Sequence, residues 1–114
     1  MSQNTQLPSY ANLSAEEMAA KIGLNVKHIP ILVQSFQEES KGLIEKLEAA
    51  IADKDYKEIS HVAHSIKGSS GNLKFNEMYE LSREVELSAK DAKEDYPYVE
   101  ACESIKTAIN SISL

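Results

Sequence analysis

The chain has 114 residues, 42% hydrophobic and 26% charged, with a formal net charge of −6. That length fits one domain, in which folding buries roughly two-thirds of the surface exposed by the unfolded chain. Twelve Lys and Arg against eighteen Asp and Glu argue against a surface that tracks the phosphates of nucleic acid or of an anionic membrane, and favour a partner with a basic face.

The lone cysteine, Cys102, has no second thiol to pair with. The amino terminus MSQNTQLPSY has neither the basic start nor the apolar run of a secretory signal, so the expected location is the cytoplasm. No apolar stretch approaches the ~20 residues that span a bilayer. The four glycines form no Gly-rich phosphate loop, which argues against ATP chemistry.

Residues 1–13 mix Ser, Gln, Asn, Thr and Pro without periodicity and read as a flexible lead-in to a domain over residues 14–114. Ser14 and Glu17 form a capping box that opens a short helix from Ala15 to about Ile22, stopped by Gly23. A long helix starts at Asn25 or His28, with Pro30 in its first turn. Its apolar stripe is Ile29, Leu32, Val33, Phe36, Leu43, Ile44, Leu47 and Ile51.

A second capping box, Asp55 with Glu58, opens a third helix whose stripe is Ile59, Val62, Ala63, Ile66 and Leu73. Asn76 is the candidate cap of a fourth, with Met78, Leu81, Val85 and Ala89 apolar, and the charged stretch Lys90 to Asp95 reads as its frayed end and a linker. Pro97 suits the first turn of a fifth helix, striped by Tyr98, Ala101, Cys102, Ile105, Ala108, Ile109 and Ile112. Four long helices with short connections predict an all-α fold: an antiparallel up-down-up-down four-helix bundle, with the short first helix as an addition at one end.

On the third helix, at ~100° per residue, the apolar stripe falls within about 60° of Ile59. His64, Gly68 and Gly71 share the opposite side, at about 120° to 180°. A helical glycine costs about 0.8 to 1.0 kcal/mol relative to alanine. Two of them, four and seven residues after a histidine, leave the surface around that ring bare enough for something to approach closely. The alternative, close helix packing, suits Ser70 better, because Ser70 points at the core side. Lys67 borders the His64 face, where its ammonium can meet an anion held on the ring.

The run Ala63-His64-Ser65-Ile66-Lys67-Gly68-Ser69-Ser70-Gly71-Asn72-Leu73 resembles the signature of histidine phosphotransfer (HPt) domains. It carries the H-x-x-K-G core followed by small residues. Leu81, Val85 and Glu86 follow in the family's L-x-x-x-L-E-like pattern, and the resemblance covers roughly Ser14 to Ile112. One position departs from it: the family usually has a glycine where this chain has Lys74.

The resemblance implies a carrier of phosphoryl groups in multistep phosphorelays, taking one from a receiver aspartate and passing it to another, with His64 as the phosphorylated residue. The implied partners are response-regulator receiver domains and a hybrid sensor kinase, and the chain is expected to act as a monomer. The receiver supplies the metal ion and the aspartate, so no cofactor and no metal of the chain's own are expected. The chemistry agrees, since a neutral imidazole offers a ring nitrogen as nucleophile toward phosphorus without ATP. Hairpin geometry adds a partner for the ring. His64 lies ten residues before Lys74 and Glu86 twelve after it, ~15 and ~18 Å at 1.5 Å per residue, so Glu86 can stand opposite the imidazole and fix its tautomer. Gly68, Gly71 and His61 are the expected docking surface.

Other readings are weaker. Glu58 and His61 form one Glu-x-x-His unit, half of a carboxylate-bridged di-metal site, but no second copy exists and His61 points outward. His28 reads as a surface residue and Cys102 as a small core side chain. A non-catalytic HPt-like adaptor that binds receivers without phosphotransfer is the main alternative, and the retention of His64, Lys67 and Gly68 argues against it.

Overall fold

A computed structural model describes residues 7–114, and among these the chain is all-helical, without strands. Its α-helices are α1 (Ala15–Ile22), α2 (Ile29–Ala52), α3 (Tyr56–Asn72), α4 (Asn76–Lys90) and α5 (Tyr98–Ser111), with a 3-10 turn over Val26–His28 before α2. The expected start and stop signals act as read. Ser14 Oγ accepts from the Glu17 amide, Asp55 Oδ1 accepts from that of Glu58, and Gly23 ends α1 in the left-handed region at φ 85°.

The start of α4 differs from expectation. Asn76 is its first residue rather than its cap, and the preceding Phe75 makes no side-chain capping bond. Phe75 fixes the turn by burial instead: its ring packs against Phe36 at 5.4 Å and Tyr10 at 4.6 Å between centroids.

The predicted stripes meet in one core. Ile29, Leu47, Ile59, Ile66, Met78, Ile105 and Ile109 are fully buried in it, each contributing about 1.5 to 3 kcal/mol relative to an exposed position. α2 packs on α3 and α5, and α4 packs on both α3 and α5, with the α3–α4 contact the most extensive. Ala63 and Ser70 on α3 and Ser82 on α4 are all completely buried, so small side chains let these two helices lie close.

The part of the expected lead-in that is described, residues 7–13, is packed rather than loose; residues 1–6 lie outside the described residues. Tyr10 is buried over Phe75, its hydroxyl donates to Glu77 at 3.2 Å, and its amide donates to Ser111 Oγ at 2.8 Å. Backbone bonds from Leu13 N to Ser113 O and from Ser113 N to Tyr10 O close the strap onto the carboxyl-terminal end. Burial and the neighbouring Glu77 carboxylate push the Tyr10 phenol up to about 12. The stretch after α4 is likewise tied down, by Tyr96 to Glu84 at 3.0 Å and by Tyr98 to the Lys93 carbonyl at 2.7 Å.

Candidate functional site

Burial of Ile59, Val62, Ala63 and Ile66 turns the other side of α3 outward. His64 projects there with 65% of its side chain exposed. Glu86 reaches it from α4, where the close approach of the two helices buries the carboxyl to 11% exposure. His64 Nδ1 lies 2.9 Å from Glu86 Oε2, and Lys67 Nζ lies 2.8 Å from Oε1, an oxygen with no other partner among the described residues. One carboxylate therefore joins the ring to the ammonium one helical turn away.

Burial works to raise the Glu86 pKa, but hydrogen bonds and charge from Lys67 and His64 outweigh it and hold the carboxyl below its ordinary 4.5. A depressed carboxylate stabilises the fold above its unfolded value, and that contribution is lost as pH falls through the folded value. At neutral pH Glu86 is ionised and can only accept. In the neutral ring the proton must then sit on Nδ1, donated to Oε2, which leaves the lone pair on Nε2.

Gly68 lies one turn beyond His64 on the same face, and a Cβ built there meets nothing within 4 Å. Gly71 behaves differently from the open docking residue expected of it. It is half-buried, and a Cβ on it would stand 3.1 Å from Tyr79 Cδ2, because the Tyr79 ring of α4 lies across it. His61 is exposed, and its side chain makes no hydrogen bond or ion pair among the described residues.

Sequence reasoning missed a groove between α2 and α3. It has a volume of about 400 Å³ and is lined by Leu32, Phe36 and Leu73 with Ser35, Glu39, Ser69 and Asn72. Ser69 Oγ spans the two helices to Glu39 at 3.0 Å. The available signal was Leu32, which helical periodicity puts on the core stripe but which stays only partly buried.

A family model for the Hpt domain matches residues 31–113. The chain belongs to that family. No curated protein and no solved structure matches it. The Hpt match begins within α2, so α1 and the strap of residues 7–13 lie outside it, although they add Tyr10, Met18 and Ala19 to the core. Lys74, where Hpt domains usually have glycine, adopts φ 62°. A lysine thus fills the left-handed position, at a cost of roughly 1–2 kcal/mol for an L-residue. Two other sequence readings of this Hpt domain have structural detail. Cys102 is buried, and burial pushes its thiol up to about 12, far from a reactive thiolate. No helix among the described residues is long and apolar enough to cross a membrane.

Proposed function

We propose that this Hpt domain relays phosphoryl groups between receiver aspartates through a phosphohistidine at Nε2 of His64. The observation that carries this reading is the pairing of His64 Nδ1 with the buried, ionised Glu86. It assigns the lone pair to Nε2 on a ring that is mostly open to a partner.

In the forward step the Nε2 lone pair attacks the phosphorus of a receiver's aspartyl phosphate. The N–P bond forms as the P–O bond to the aspartate breaks, and the receiver's carboxylate leaves with that electron pair. The Nδ1 proton stays in place, and the positive charge gained by the ring is met by Glu86 at 2.9 Å. Lys67 supplies a cation beside the incoming phosphoryl oxygens, and Gly68 gives the receiver room to bring its aspartate into line. Transfer to the next receiver reverses these bond changes. The metal ion belongs to the receiver, so the chain contributes a nucleophile and its placement.

The domain is taken as residues 14–114, arranged as an antiparallel up-down-up-down bundle; the contacts of α2 with α3, α3 with α4, and both α2 and α4 with α5 support that arrangement. Its proposed setting is a cytoplasmic monomer working with response-regulator receivers and a hybrid sensor kinase. The test is a relay assay. Acid-labile label supplied on one receiver should move to this chain and then to a second receiver, whereas binding to both without transfer would make it an adaptor.

The Glu86 assignment has its own check. Glu86→Ala should raise the share of Nε2–H tautomer in nitrogen-detected NMR of the ring. It should also slow labelling by at least about tenfold, since a wrong histidine tautomer costs up to ~10⁴ in a catalytic triad. Ring shifts identical to wild type would mean that the two side chains do not meet in solution.

A further inference from the structure

The relay reading gives tasks to His64, Lys67, Gly68 and Glu86 but none to Tyr79. Its ring lies over Gly71, seven residues along α3 from His64, and Tyr79 itself is seven residues before Glu86 on α4. Both spacings put the ring two helical turns, ~10 Å, from the imidazole on the same side of the α3–α4 pair. Gly68 lies between them with open space above it. The surface is therefore a shelf one residue deep, bounded at one end by His64 and Lys67 and at the other by an aromatic ring.

That ring is held on one side and free on the other. A Cβ on Gly71 would stand 3.1 Å from Cδ2 and 3.4 Å from Cε2 of that ring, so the ring lies close against the α3 backbone. The hydroxyls of Tyr10, Tyr96 and Tyr98 each donate to a protein oxygen, whereas those of Tyr79 and, away from this face, Tyr56 have no partner among the described residues. A pinned aromatic with a free phenol can bury area at small entropic cost while exchanging a hydrogen bond with an incoming backbone, and tyrosine is enriched at interface positions that dominate affinity.

We propose that Tyr79 is an affinity-determining contact for the receiver, an aromatic anchor two turns from His64 that the docked domain covers. This rests on the phosphotransfer reading for the identity of the partner. A standard interface covers ~800 Å² per partner, a disc of about 16 Å radius on that area. Centred on His64, as the chemistry requires, a footprint of that radius reaches the Tyr79 ring.

The test compares wild type with Tyr79→Ala and Tyr79→Leu, the second keeping an apolar side chain on Gly71 should the first loosen the helix pair. The probe is the receiver, from a panel, that binds wild type most tightly. Its Kd is measured by calorimetry, beside the maximal transfer rate, the labelling rate with phosphoramidate and the Tm. Both variants should raise the Kd about tenfold, with maximal transfer and phosphoramidate labelling within about twofold of wild type and the Tm of the Leu variant unchanged. A Kd within twofold of wild type for the Leu variant overturns the assignment, as does a slower maximal rate at unchanged Kd. Wild type that binds receivers without taking their phosphoryl group would refute the relay instead, and the comparison of Kd values would still decide the role of Tyr79.

Discussion

His64→Gln is expected to reduce receiver-dependent labelling to background while leaving the bundle folded. The side chain is mostly exposed, and its one polar contact among the described residues is with Glu86, so the core loses nothing with the ring. Glutamine can still donate to that carboxylate but offers no nucleophilic nitrogen. His61→Gln is the control, because His61 is also exposed and lies one turn earlier on α3 yet takes no part in the Glu86 network. It should keep most of the labelling. Acid-labile phosphate persisting in the His64 variant, or lost equally in both, would reassign the acceptor.

Gly68→Gln separates docking from folding. The position is helical and open, with nothing within 4 Å of an added Cβ, so the fold tolerates the larger residue. Removing a helical glycine should stabilise the protein by up to about 1 kcal/mol and raise the Tm by about 3 to 5 °C. The new side chain would stand one turn from the imidazole, where the proposed relay brings a receiver's aspartyl phosphate. Misplacement by ~1 Å can cost about 10²-fold in rate, so receiver transfer should fall by that order while phosphoramidate, which needs no docked protein, labels His64 nearly as before. A destabilised variant would make Gly68 a packing residue, and a stable one with full transfer would move the docking surface elsewhere.

Much of this was legible because α-helical geometry is local. The capping residues Ser14 and Asp55, the stop at Gly23 and the apolar stripes depend on neighbours within a few positions, and a hairpin count sufficed to put Glu86 opposite His64. Gly68 was readable for the same reason, as a residue whose angle on α3 points away from the core. Gly71 shares that angle, but its surroundings are decided by a ring arriving from α4, which no property of α3 encodes.

The strap was hidden in a different way. Residues 7–13 lack periodicity, and a single buried aromatic, Tyr10, with a few bonds to Ser111 and Ser113 holds them. These contacts span about a hundred residues of sequence and leave no local pattern. The start of α4 was misassigned because Asn76 is a good capping residue in isolation, whereas burial of Phe75 between Phe36 and Tyr10 outweighs that preference. The α2–α3 groove could not be foreseen from either helix alone, since it is the space left where Leu32, Phe36 and Leu73 fail to close over one another.

The central claim is that His64 carries the phosphoryl group on the nitrogen that Glu86 leaves free. Phosphorus-edited NMR of the protein after incubation with a phosphorylated receiver tests it directly, by showing which ring nitrogen is coupled to phosphorus. Coupling to Nε2 of His64, with Nδ1 still protonated, is the expected result; phosphorus on Nδ1, on another residue, or nowhere on the chain would contradict it.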